Sequence, residues 1–559
     1  MGRPWKSITL GVLALSRQAW CSAGDICYMT GAMTSIVDDR LYFFQGNYST
    51  VTYDGQSIDL SSTLYYLKLD DNYLVEANIP QASLNKETIS SNITVAYKMT
   101  ERTEQKGALW KTDDTLFFLG GGYHQGVNEI TSFNVSSETW KNVQVKGGDF
   151  NMGNRTTAQT VSVPDAGLSF IMGGNDPYIN GMIRFDASNP DNISWTNETL
   201  DNGSYGVDVP NLNAGYMVYI PASTEGMLIA FGGGNYSAGL SPYSGWPWEA
   251  DWNIIYVYDI ASHTWWMQEA SGDPPANRDQ FCAVVTESPD RGAFHITTYG
   301  GWSLTDQRAY EDVNILTIPS FQWIDATELS NQTNREQQAN STIGRSQLSS
   351  SCEAYRGSQM IVLGGNVHSG AYSLTNGACS DVFKPSRVLD LSTYKWASNL
   401  NTSSTYEVPS IIYNKIGGGA TGGATVSVPS AGFADATLAS LIQKRVPSPA
   451  KSSPSSSSSV ESSTTNSSSA RSSDKSNHTN AGAIAGGVVG GVAGLSLIIA
   501  IVWYMVVRRE KQNPVVLEPS EIPRKVPVEL SGKQYAEMQG DKHYPEMQGD
   551  GRHIAELGY

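Results

Sequence analysis

Four histidines and a crowd of tyrosines and tryptophans are the side chains of residues 24–415 whose types suit chemistry or ligand binding. Tyr123-His124 stands in one glycine-bounded loop and His368 in another. Imidazoles can ligate copper, which needs at least two of them converging on one point. His263 lies inside a polar turn and reads as solvated, and His295 falls in an apolar stretch. Tyr236, Tyr243, Trp246, Trp248 and Trp252 crowd the stretch GNYSAGLSPYSGWPWEADW, and Trp302 and Tyr372 occupy corresponding loops further on. Flat rings of this kind stack on sugars or anchor a protein partner. The chain has no GxSxG, no HExxH and no carboxylate pair that stands out from its general acidity. GGGYHQG (Gly120–Gly126) and GGGNYSAG (Gly232–Gly239) follow strands but lead into further strands, without the lysine of a phosphate loop. The expectation is a binding face without catalysis of its own, with no cofactor and no metal.

The elements that must position these residues repeat. Phe133–Trp140 (FNVSSETW) returns as Tyr258–Trp265, Leu316–Trp323 and Leu389–Trp396, each running from an apolar residue through a small polar turn to a Trp. Leu67–Leu74 keeps the spacing with Leu in place of Trp, and Phe185–Trp195 carries an insertion of three residues. Ahead of each copy an apolar run ends in glycine: LYFFQG, FFLGGG, FIMGG, LIAFGGG, TTYGG and IVLGG. Glycine lets the backbone take φ > 0 and pass close to a neighbour where the strand breaks into its loop. Runs apolar at every position read as strands covered on both faces.

An apolar run, a glycine pair, a variable loop, an alternating strand, a turn and a Trp resemble the kelch repeat, over roughly residues 25–415. The resemblance implies an all-β, six-bladed kelch-type β-propeller, with enlarged loops to fit a period of about 50–70 residues. It also implies that loops after the glycine pairs emerge on one face, where ligands dock. On that face Tyr123, His124, Tyr236, Tyr243, Trp246, Trp248, Trp302 and His368 are the candidate ligand-binding residues. The family includes galactose oxidase, so an extracellular copper oxidoreductase is the rival reading. An accessory protein of a biosynthetic or secretory pathway is a third.

The flanks set the expected location. Residues 1–23 read as a signal peptide, with Arg3 and Lys6 ahead of a short apolar run and small residues at the cleavage site. Residues 24–415 are the propeller, 416–446 a connecting segment and 447–480 a Ser-rich stalk. Residues 481–507 carry no charge and suit a transmembrane helix, and Arg508, Arg509 and Lys511 after it place the tail, 508–559, in the cytoplasm. Every N-x-S/T sequon precedes that segment: Asn47, Asn92, Asn134, Asn154, Asn192, Asn197, Asn202, Asn235, Asn331, Asn340, Asn401, Asn466 and Asn477. The expectation is a type I, single-pass plasma-membrane glycoprotein with its ectodomain outside. Its Ser-rich stalk and Gly-rich span resemble those of fungal single-pass surface proteins.

Four cysteines remain beyond the signal peptide, Cys27, Cys282, Cys352 and Cys379, which allows three pairings. Cys352 and Cys379 share the last repeat and form the favoured bridge; Cys27 with Cys282 follows by elimination. Lys444-Arg445, at the edge of the Ser/Pro stretch, reads as a processing site on a loose boundary. Gly482, Gly486, Gly490 and Gly494 share one helix face and suggest weak self-association. The tail repeats Tyr-x-x-Met, first as Tyr535 with Met538 and then as Tyr544 with Met547. That is the pattern of a sorting signal read by a cytoplasmic adaptor. A net charge of −17 argues against nucleic acid as a partner.

Overall fold

The computed structural model describes residues 24–447 apart from 45, 51–56, 59–62, 71–72, 74–77, 90–92, 94–106, 120–127, 148–156, 175–180, 199–211, 241–246, 307, 331–349, 366–367, 370–371 and 374–384. They belong to the first of two compact units, Met1–Lys451; the second is Ser452–Tyr559. The expected signal peptide, uncharged span, cytoplasmic tail and all but the first residue of the stalk lie outside the described residues. So do the four residues of the expected sorting signal, Tyr535, Met538, Tyr544 and Met547. Among the described residues no helix is long and apolar enough to cross a membrane.

Among the described residues six antiparallel meanders of four strands follow one another along the chain, and a short parallel strand, Ser271–Gly272, is added to the edge of the fifth. Their first strands are β1 (Met33–Val37), β2 (Ala108–Lys111), β3 (Gln159–Val163), β4 (Tyr216–Ile220), β5 (Cys282–Glu287) and β6 (Ser351–Tyr355). In each sheet the first strand pairs with the apolar run, the run with the strand that opens the polar phrase, and that strand with the last. The six first strands touch in cyclic order, β1 against β2 and onward to β6, which returns to β1. This is the all-β arrangement of a β-propeller.

The recurrent phrase is a hairpin register. Its first and last residues face each other across the last two strands: Phe133 with Trp140, Phe185 with Trp195, Tyr258 with Trp265, Leu316 with Trp323 and Leu389 with Trp396. Trp195, Trp265, Trp323 and Trp396 are buried, each worth about 2–3 kcal/mol of apolar burial. The Leu67–Leu74 copy departs from the pattern. Its strand, Thr63–Lys68, pairs instead with Asn85–Thr88, well beyond the expected turn.

The apolar runs Leu168–Met172, Met227–Phe231, Phe294–Tyr299 and Gln359–Leu363 are buried at every position. Two glycines show why the pair is needed. Gly173 has φ +67°, and a Cβ there would lie 2.0 Å from the Leu212 carbonyl oxygen. Gly232 has φ +64° and would strike the Phe281 ring at 2.6 Å. Both positions bring one meander against the start of the next, so a side chain would force the two apart.

The ring closes between the first and sixth meanders. Thr34 Oγ1 donates to Glu353 Oε1 at 2.8 Å, Ser351 Oγ to the Ala32 carbonyl at 2.6 Å, and the Gly365 amide to the Met29 carbonyl at 2.8 Å. A disulfide joins Cys282 on β5 to Cys352 on β6, with Cα atoms 5.5 Å apart. This corrects the expected Cys352–Cys379 and Cys27–Cys282 pairing. Cys27 is also disulfide-bonded, and Cys379 lies outside the described residues.

The segment 416–446 is more than a connection. Helix α1 (Ser410–Ile416) buries Ile412 and Ile416 beside the fifth and sixth meanders. Helix α2 (Ala436–Leu441), whose cap Asp435 accepts from the Thr437 amide, buries Leu438 with Ile442 against the fourth and fifth. Lys444-Arg445 follows in an ordered bridge rather than on a loose boundary. Ala222 pairs with Arg445, the Ser223 amide donates to the Lys444 carbonyl, and the Val446 amide to that of Pro221. The Arg445 guanidinium donates to the carbonyls of Arg291, Ile442 and Gly292 and lies 4.7 Å over the Phe294 ring. A protease at this pair would first have to peel the bridge open.

Candidate functional site: the axial channel and its glycine-pair mouth

The first strands enclose a channel of about 420 Å³. Five of them contribute its polar groups: Thr34 from β1, Lys111 from β2, Gln159 and Ser162 from β3, Tyr216 and Tyr219 from β4, and Glu353 from β6. Strand register sets their depth. Gln159 pairs with Met172, and Tyr216 with Phe231, so both stand at the end where the glycine pairs follow. Glu353, opposite Ile361, lies midway; Lys111, opposite Leu116, lies toward the other end.

Glu353 is enclosed by protein yet keeps some exposure to the channel, and burial raises its pKa despite the pull of Lys111 and the Thr34 hydrogen bond. Its carboxyl is thereby shifted toward the neutral acid. The Lys111 ammonium donates to the Ile36 carbonyl at 2.9 Å. The Tyr216 hydroxyl is held well above its ordinary range by burial first and then by the nearby Glu353. At the far end burial pushes Tyr219 up to about 12. Gln159 differs from all of these. It is 1% exposed, and among the described residues neither its amide nitrogen nor its amide oxygen has a hydrogen-bond partner. The nitrogen lies against the α-carbon of Gly215, only 2.4 Å from where a Cβ would stand.

Trp248 stands above this mouth, on a strand pair joining Asn235 to Trp248, and its ring is 41% exposed. Trp302 is half-buried, and its backbone bridges that of Asp279. Tyr236 and His368 lie in the short strands Gly234–Leu240 and His368–Ser369, described by backbone alone. Tyr123, His124, Tyr243 and Trp246 lie outside the described residues. Trp252, grouped with these rings by the sequence, belongs to the core instead: it is 1% exposed and lies 5.3 Å from Trp323, which donates to its carbonyl.

The histidines do not converge among the described residues. His295 is fully buried, with Nδ1 2.8 Å from the Tyr406 hydroxyl and Nε2 unpartnered among the described residues. His263, expected to be solvated, keeps one face open but pairs through Nδ1 with the buried Glu198 carboxylate at 2.6 Å. Among the described residues no group of three or more His, Cys, Asp or Glu could hold a metal ion.

Of the sequons, Asn134, Asn192 and Asn401 sit at strand ends or turns. Asn134 uses its amide on Asp114 and Thr115, and Asn192 accepts from Lys146. Asn197 closes the third meander, and Asn235 starts the strand pair below Trp248. Asn47 begins the short strand Asn47–Thr50, the middle one of a three-stranded sheet, and the other seven sequons lie outside the described residues.

No family model matches the chain. A kelch repeat-containing protein of Arthroderma benhamiae is 24% identical over 489 residues, covering 75% of this chain and 67% of that one. The repeat pattern, the cyclic order of the sheets and this relative support a kelch-repeat family. The chain also overlaps a solved structure of YjhT, at 10% identity over 66% of this chain and 97% of that chain, with a TM-score of 0.38.

Sequence reasoning missed the channel residues. Gln159, Tyr216 and Glu353 sit on strands one hairpin upstream of a glycine pair, and the only signal they leave is a polar residue in such a strand.

Proposed function

We propose that the six meanders are the blades of one six-bladed propeller, presented at the cell surface as a binding module for a glycan or a protein. The exposed Trp248 ring carries this reading. Among the described residues the large exposed apolar side chains are Trp248, Met267, Val426 and Val428, and Trp248 is the aromatic one. It stands at the glycine-pair mouth, where an indole face can stack on a sugar ring or enter a partner's pocket. The sequon distribution, the uncharged segment 481–507 and the cationic residues after it support a type I membrane placement with this face outside.

Full-length protein on a glycan array is expected to bind a restricted set of glycans, with Trp248→Ala weakening the retained ones by about tenfold. A protein ligand would instead be captured on intact cells by a photoreactive group at position 248. A blank array together with no capture overturns the proposal.

A further inference from the structure

The channel is distinct from the Trp248 face, and its chemistry points to a ligand of its own. A buried carboxamide leaves two donors and one acceptor unmet, at a cost of about 1–3 kcal/mol for each abandoned polar group. Gln159 bears that cost at a channel wall although the fold has satisfied neighbouring groups: Thr34 with Glu353, Lys111 with Ile36, Ser351 with Ala32. Its site is also specially made. Gly215 leaves room for the Gln159 nitrogen, and a Cβ there would also lie 2.5 Å and 2.7 Å from the carbonyl oxygens of Gly232 and Phe231.

The volume, about 420 Å³, falls within the roughly 300–1,000 Å³ of small-molecule pockets. Charge narrows the class. Lys111 and Glu353 offset each other, so an added cation meets Lys111 and an added anion meets Glu353. A neutral ligand escapes both penalties. A carboxamide spans two adjacent hydroxyls, accepting from one and donating to the other. Glu353 uses Oε1 for Thr34, and its other oxygen takes no hydrogen bond among the described residues. The rings of Tyr216 and Phe281 in the wall supply apolar surface for the C–H face of such a molecule.

We propose that the channel binds a neutral polyhydroxylated small molecule, such as a monosaccharide, with Gln159 and Glu353 as its hydrogen-bonding partners. The ligand is either free or the end unit of a longer glycan that also touches Trp248.

The test uses full-length protein and saturation-transfer NMR with D-glucose, D-galactose, D-mannose and N-acetyl-D-glucosamine, against D-glucuronate and D-glucosamine as charged counterparts. At least one neutral sugar is expected to bind saturably and more tightly than either charged one. Gln159→Leu should weaken it by about tenfold or more. Glu353→Gln, which keeps the shape and a hydrogen-bonding side chain, should retain binding, while Glu353→Leu should lose it. Trp248→Ala should leave the monosaccharide untouched, and a glycan weakened by both W248A and Q159L would be one whose end enters the channel. The proposal is overturned if no neutral sugar binds, if a charged one binds more tightly, if Glu353→Gln abolishes binding, or if Gln159→Leu, melting no lower than the parent, has no effect. Those outcomes leave the Trp248 reading to be judged separately on the array.

Discussion

Arg278, wedged between the fourth and fifth meanders, and Gln159, at the channel wall, are equally buried at 1% exposure, yet the fold treats them in opposite ways. The Arg278 guanidinium donates to the carbonyls of Ala276 and Gly300 and forks onto both Asp312 oxygens, one of them at 2.9 Å. It also stacks 3.7 Å from the centre of the Tyr310 ring and 5.7 Å from that of Trp252. Among the described residues Gln159 receives nothing. A buried polar group whose donors are all spent is part of the architecture. One whose donors are all unspent is architecture held ready for something else.

The comparison breaks first at Arg278. Its removal strands Asp312 and the Gly300 carbonyl, so Arg278→Ala should lower unfolding stability by about 3–5 kcal/mol, read from urea titration. A loss below about 1 kcal/mol would mean the network is ornamental rather than structural.

His295 is the intermediate case, with one nitrogen bonded and the other bare among the described residues. Burial draws its pKa down to about 3, with Asp290 pulling weakly the other way. In the unfolded chain it titrates near the usual 6.5, so below that pH the unfolded state takes up the proton first. Its share of stability is whole above about pH 6.5 and drains away as the pH falls toward 3, amounting to about 2 kcal/mol by pH 5. His295→Gln should flatten the difference in urea midpoint between pH 7 and pH 5. An unchanged slope would show that another group governs this range.

Gln159 should give the smallest effect, with the opposite sign. Gln159→Leu removes an unmet amide while keeping its volume, so stability should rise by about 1 kcal/mol in the ligand-free protein. A fall of similar size would show that the amide is satisfied in solution, and the contrast with Arg278 would disappear.

Much of the propeller was legible because the repeat is itself a register. A Trp seven residues beyond an apolar partner can face it across a tight turn, as Leu316 faces Trp323. The Leu67 copy misled because a strand can find its partner beyond a long excursion, here Asn85–Thr88. The disulfide misled for a related reason. Cys282 and Cys352 are 70 residues apart, the upper end of the repeat period, so they fall within one residue of equivalent positions on adjoining first strands. In a cyclic fold one full period is a short distance, and nearness along the chain is the poorer guide. Trp252 was grouped with the rings of its loop because sequence cannot tell a ring that caps a meander from one that enters it. The channel left almost no trace. Its partners come one from each of several strands, and no spacing joins Gln159 to Glu353.

The bridge at Arg445 also fixes where tension would enter the molecule. Ala222 follows β4 at the end away from the glycine pairs, and the chain leaves beside it through Arg445 and Val446. A pull on that end is therefore borne by the fourth and fifth meanders, through Pro221, Arg291 and Gly292. The seam between the first and sixth is spared, although it is the place where the ring would otherwise open. A tether attached there would load the wall of the ring at the end opposite its glycine-pair mouth.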